Sequence, residues 1–101
     1  MVSITVSKAA QADLVSIRQY IREELCNPDA SRHIMTRLKE AIKGLRQFPG
    51  KGKPLDALLS IHTEYRYLVC EGYCIFYLCS DTDVVIVRVL HQRQDCIRAL
   101  F

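Results

Sequence analysis

The chain has 101 residues, half of them hydrophobic and a quarter charged, with a net charge of +3. A chain of this length buries about two-thirds of its unfolded surface in a single core, so one α+β domain spanning 1–101 is expected, and the composition argues against a disordered chain. No apolar run approaches the roughly 20 residues that a membrane helix needs, and Met1-Val2-Ser3-Ile4-Thr5 lacks the basic and apolar stretches of a signal peptide. No membrane contact and a cytoplasmic location are the corresponding expectations.

Ile4-Thr5-Val6 predicts a short strand, after which Ser7 offers an N-cap. Over residues 9–25, Ala10, Leu14, Ile17, Ile21 and Leu25 recur at steps of three and four, which predicts an amphipathic helix with those five side chains on one buried stripe. Asn27-Pro28 both ends that helix and starts another, because Asn27 can cap and Pro28 suits a first helical turn whose N–H has no partner. The second helix carries Ile34, Leu38, Ile42 and Leu45 on one stripe and stops at Phe48-Pro49-Gly50. Between Arg32 and Lys53 lie seven basic residues (Arg32, Arg37, Lys39, Lys43, Arg46, Lys51, Lys53) against the single acid Glu40. That excess favours an anionic partner, the alternative being a solvated helix face.

The periodicity then changes from helical to β. Tyr65–Cys70, Tyr73–Cys79 and Val84–Leu90 predict a three-stranded antiparallel meander, joined by the hairpin pair Glu71-Gly72 and the turn Ser80-Asp81-Thr82-Asp83. Those turns would pair Cys70 with Tyr73, Leu68 with Ile75, Arg66 with Tyr77, Cys79 with Val84, Tyr77 with Ile86 and Ile75 with Arg88. On that register one face carries Tyr65, Tyr67, Val69, Cys74, Phe76, Leu78, Val85, Val87 and Val89 and is expected to pack on the helices. The other carries Arg66, Leu68, Cys70, Tyr73, Ile75, Tyr77, Ile86, Arg88 and Leu90 and is expected to be the working surface, since unpartnered guanidinium groups are costly to bury.

On that surface Arg66 and Arg88 would flank Tyr77, their Cα atoms about 12 Å apart, and could grip a phosphate or carboxylate. His91 follows the last strand beside Arg93 and is the histidine best placed by sequence for proton transfer, whereas His33 and His62 have no comparable neighbours. The competing structural reading pairs the arginines with Glu64 or Glu71. The five cysteines (Cys26, Cys70, Cys74, Cys79, Cys96) form no C-x-x-C pair, so neither a disulfide framework nor a metal site is expected. Cys70, Cys74 and Cys79 read as small hydrophobes, and nothing calls for a cofactor.

Several strings stand in a fixed order along the chain: Ala12-Asp13-Leu14, Ile17-Arg18-Gln19-Tyr20-Ile21, Asn27-Pro28 with Ala30, Phe48-Pro49-Gly50-Lys51-Gly52-Lys53-Pro54, Glu64-Tyr65-Arg66, Tyr73-Cys74-Ile75-Phe76-Tyr77 and Arg88-Val89-Leu90-His91-Gln92-Arg93-Gln94-Asp95. In these strings and in the order of its elements, essentially the whole chain resembles the RelE/ParE family of toxins. The resemblance implies a RelE/ParE-like fold: a short N-terminal strand, a two-helix hairpin, the meander and a short C-terminal tail. It also implies a growth-inhibiting toxin silenced by a cognate antitoxin. Two targets occur in such a family: the ribosome with its mRNA, which RelE-like members cut, and DNA gyrase, which ParE-like members poison.

Arg66 and Arg93 fall where the nuclease members carry functional arginines, so Arg66, His91 and Arg93 are the catalytic candidates. Arg66, Tyr77, Arg88, Lys51 and Lys53 are the candidates for anion or nucleic-acid binding. The expected strand before Arg66, roughly Ala57–Ile61, lacks the nucleases' lysines, and Cys96–Phe101 has no tyrosine. The Phe48–Pro54 loop and the Val-Leu-His string look more ParE-like. The gyrase-directed reading is therefore favoured over the mRNA endonuclease, with a degenerate toxin that only binds its antitoxin as a third outcome.

Overall fold

Ser7 does more than cap a helix: its Oγ accepts from Ala10 N at 3.0 Å and donates to the Val87 carbonyl at 2.8 Å. The first helix is thereby fastened to the far end of the chain. The computed structural model describes residues 2–57, 62–92 and 100. Strand β1 (Ser3–Val6) leads into helix α1 (Lys8–Gln19), which widens into a π turn over Tyr20–Glu24. One extra residue in that turn changes the phase of the apolar stripe. Ala10, Ile17 and Ile21 are buried and Leu14 partly so, whereas Leu25, expected on the same stripe, is 57% exposed.

Cys26, in the left-handed region at φ 50°, reverses the chain. Asn27 Oδ1 then accepts from Ala30 N at 3.1 Å and opens helix α2 (Pro28–Gly44), with Pro28 in its first turn as the sequence predicts. Leu38, Ile42 and Leu45 of the predicted stripe are buried and Ile34 is packed against them. Burying each such aliphatic side chain contributes about 1.5–3 kcal/mol.

The predicted meander forms the middle of a larger sheet. Strands β3 (Arg66–Cys70), β4 (Tyr73–Cys79) and β5 (Asp83–His91) are joined by β1, which pairs parallel with β5, and by the two-residue β2 (Lys53–Pro54), giving the order β1-β5-β4-β3-β2. The Glu71-Gly72 turn has both residues at positive φ, 54° and 82°, as a two-residue hairpin of this hand requires. Pairings Cys70 with Tyr73, Leu68 with Ile75, Arg66 with Tyr77, Cys79 with Val84 and Tyr77 with Ile86 all form as expected. The expected Ile75–Arg88 pair does not. A bulge at Val87 sets Phe76 opposite Arg88 and Ile75 opposite Val89, so Arg88 and Leu90 change face.

The two faces are the reverse of the expectation. Tyr73, Ile75, Tyr77, Val84, Ile86 and Val89 pack with the helix residues Ala10, Ile17, Ile21, Leu38, Ile42 and Leu45, and Leu68 and Cys70 join them. The opposite face holds a smaller cluster of Leu55, Phe76 and Leu90 with Tyr65, Tyr67, Cys74 and Leu100. Both faces are apolar enough to be buried, so alternation alone cannot say which meets the helices. The arginines that marked one face as wet have local solutions, since Arg66 opens β3 at the sheet corner and Arg88 is displaced by the bulge. Cys70 and Cys74 are half-buried as expected, but Cys79 is exposed and Cys96 lies outside the described residues. Among the described residues no helix is long and apolar enough to cross a membrane.

Candidate functional site

Arg66 and Tyr77 sit opposite each other at the corner where the 48–54 loop meets the sheet. The Tyr77 hydroxyl donates to the Pro49 carbonyl and accepts from the Gly52 amide, both at 2.8 Å, while Arg66 Nη1 donates to the Gly52 carbonyl at 2.8 Å. Gly52 is required by this close approach: a Cβ there would lie 2.5 Å from the Tyr77 hydroxyl and 2.8 Å from the Tyr67 carbonyl. Burial raises the Tyr77 pKa, opposed by the Gly52 N–H and the Arg66 charge. Tyr77 was expected to present its ring or hydroxyl to a ligand, but it is fully buried and its hydroxyl is satisfied twice.

Lys51 and Lys53, both exposed, lie on either side of Gly52. Beside them a hollow of about 310 Å³ is lined by Arg37, Glu40, Ala41, Lys51, Leu68, Val69 and Cys70. Arg37 there is 3.4 Å from Glu71 and 4.0 Å from Glu40. Four of the predicted residues, Arg66, Tyr77, Lys51 and Lys53, are thus brought to one corner.

Arg88 is taken elsewhere. Its Nε and Nη2 donate to the two carboxylate oxygens of Asp13 at 2.7 and 2.8 Å, and Val89 N donates to the same carboxylate at 3.0 Å. The partnership follows from the sheet: β1 ends at Val6, opposite Ile86, so α1 supplies the acceptor that a longer strand would have supplied. The hydrogen bond to Asp13 raises the Arg88 pKa. Neither expected acid takes up the arginines, for Glu71 meets Arg37 and His33, and Glu64 meets His62.

His91 ends β5 opposite Tyr73, its ring edge-on to the tyrosine with centroids 5.3 Å apart. Tyr73 lies four residues along β4 from Tyr77, a separation of about 13 Å at the usual strand rise, so His91 and Arg66 occupy opposite ends of the sheet. Arg93 lies outside the described residues.

Sequence reasoning misses His62, which stands between two carboxylates: Nδ1 is 2.9 Å from Asp56 and Nε2 is 3.0 Å from Glu64. Hydrogen bonds to Glu64 and then Asp56 raise its pKa. Asp56 is held below its ordinary value, chiefly by the Thr63 amide at 2.9 Å. The spacing of Asp56, His62 and Glu64 is visible in the chain, but only the folded structure puts Asp56 against the ring. Among the described residues no cluster of three His, Cys, Asp or Glu side chains is arranged to hold a metal.

This architecture recurs in solved structures. A chain of the chromosomal ParDE TA system from P. aeruginosa superposes with a TM-score of 0.74 at 23% identity, over 90% of this chain and 96% of that one. YafQ from E. coli strain BL21(DE3) gives 0.58 at 18% identity, over 100% and 99%. The fold is therefore that of the small RelE-like toxins. In sequence, Toxin RelE2 of Caulobacter vibrioides is 33% identical over 91 residues, 90% of this chain and 96% of the relative. Residues 4–96 match the sequence model of the family described as ParE toxin of type II toxin-antitoxin system, parDE, and the chain belongs to that family. Membership implies a cognate antitoxin as partner.

Proposed function

We propose that the chain inhibits growth by acting on DNA gyrase, is neutralised by its antitoxin, and does not cut mRNA. The observation that carries the choice is the commitment, among the described residues, of the side chains a nuclease would need. Cleaving RNA requires a base near the 2′-hydroxyl, charge stabilisation at the phosphate and an acid at the leaving oxygen, all converging on one bond. Here Arg88 is held by Asp13, Tyr77 by Pro49 and Gly52, and Arg66 by Gly52, while His91 is at the other end of the sheet. The match to the ParE toxin family supports the same reading.

The test is a paired assay. Purified toxin is incubated with a bacterial gyrase and supercoiled DNA and, separately, with translating ribosomes. Linear DNA trapped on gyrase, with mRNA intact and the effect abolished by the antitoxin, is the expected result. Codon-phased mRNA cuts lost in Arg66→Ala and His91→Ala would overturn it in favour of ribosome-dependent cleavage. Normal growth of cells expressing the toxin alone would mark a chain that only binds its antitoxin.

A further inference from the structure

The basic excess of the second helix is not absorbed by the Arg66–Tyr77 corner. In α2 the exposed residues Arg32, Lys39 and Lys43 are spaced at seven and four and so share one stripe, which Arg46 continues one turn beyond. At 1.5 Å per residue the row from Arg32 to Arg46 runs about 21 Å. It borders α1, since Lys39 shares a hollow with Leu14, Val15, Arg18 and Met35. Next to it a second hollow of about 330 Å³ is lined by Arg18, Arg22, Arg32, Pro28 and Ser31. Asp29 pairs with Arg32, but Arg18, Arg22, Lys39, Lys43 and Arg46 have no acid partner among the described residues.

We propose that this ridge between the two helices is a binding surface for the phosphate backbone of duplex DNA. A row of fixed cations about 21 Å long spans about six base pairs at the 3.4 Å rise per base pair. Two guanidinium groups without an acid partner among the described residues, Arg18 and Arg22, line one hollow and suit a phosphate, whose oxygens the guanidinium fork matches. Residues 28–44 contain no Phe, Tyr or Trp, whereas surfaces for single strands rely on aromatic platforms. The two hollows of the ridge share no lining residue with the Arg66–Tyr77 corner, and the proposal calls for no gyrase, so its test stands independently of the proposed target.

The experiment is fluorescence anisotropy of the full chain with a labelled 20-base-pair duplex of arbitrary sequence between 50 and 250 mM KCl. Arg18→Ala/Arg22→Ala and Lys39→Ala/Lys43→Ala are each expected to weaken binding at least tenfold at the lowest salt. Each removes two phosphate contacts, so the slope of log K against log salt should fall in magnitude by about 1.8. Arg18→Lys/Arg22→Lys should restore the slope, which separates lost charge from lost fold, and Lys8→Ala, an exposed lysine at the other end of α1, should stay within twofold of wild type. Absent duplex binding, an equal loss from Lys8→Ala, or tighter binding of single-stranded RNA would each overturn the proposal. So would displacement of the duplex by an equimolar acidic amphipathic peptide, which would mark the ridge as a protein-docking face.

Discussion

Replacing Tyr77 with phenylalanine removes one oxygen atom from a fully buried position and leaves the packing of the ring unchanged. The lost hydroxyl is the partner of two backbone groups in the 48–54 loop, the Pro49 carbonyl and the Gly52 amide. A hydrogen bond contributes about 1 kcal/mol net, and a buried group left without a partner costs about 1–3 kcal/mol. Because the loop is near the surface, water can reach part of what is freed, so about 2 kcal/mol is expected. For a domain of this size that lowers Tm by roughly 8–16 °C, read by circular dichroism. Gly52→Ala should cost a comparable amount, since the new methyl meets the Tyr77 hydroxyl at 2.5 Å. In the double variant the two losses should be less than additive, because removing the hydroxyl relieves that contact. A Tyr77→Phe protein within about 0.5 kcal/mol of wild type, well below one buried hydrogen bond, would refute the reasoning that this hydroxyl anchors the loop.

Other consequences can be checked separately. Asp13→Ala strands the Arg88 guanidinium and the Val89 amide at a site only 13% and 27% exposed on its two sides, and a loss of about 2–4 kcal/mol in urea unfolding is expected; an unchanged midpoint would mean that the Asp13–Arg88 pair does not hold α1 to the sheet. Leu25→Lys should shift stability by less than about 0.5 kcal/mol, whereas Ile21→Ala should cost about 2–5 kcal/mol; equal losses would contradict the phase change at the π turn. The imidazole of His62, followed by NMR, should titrate above its ordinary range, and Asp56→Asn or Glu64→Gln should lower that value. A raised histidine stabilises the fold fully below its unfolded pKa of about 6.5, and the contribution is lost as pH rises through the folded value. For the depressed Asp56, stability is present above about 3.9 and lost as pH falls through its lower folded value. The clasp therefore holds between the two folded values, and an ordinary titration of His62 would show that it does not form.

Local signals carried much of the fold. Ser7 and Asn27 cap the helices they were expected to cap, and Glu71-Gly72 makes the hairpin whose register follows from it. These features depend on interactions within three or four residues, which the order of side chains determines by itself. The candidate site was less legible. Lys51, Lys53, Arg66 and Tyr77 do meet at one corner, but through hydrogen bonds from Tyr77 and Arg66 to the backbone of a loop that reads only as a turn. His62 escapes sequence reasoning because Asp56, six residues earlier in the chain, meets it only in the folded structure.

What the sequence by itself determined was the first strand, the two capped helices, the three-stranded meander with its register up to Ile86, and the likeness to the RelE/ParE toxins, but neither β2 nor the π turn. Tertiary structure alone decided which face of the sheet meets the helices, because two apolar faces satisfy the same alternation and only the docked helix pair chooses between them. It also decided the use of Arg88, since an extra residue at Val87 and a first strand that ends at Val6 place the guanidinium beside Asp13. A cation that looked free for an anionic ligand became part of the scaffold, for its partner lies 75 residues away in the chain.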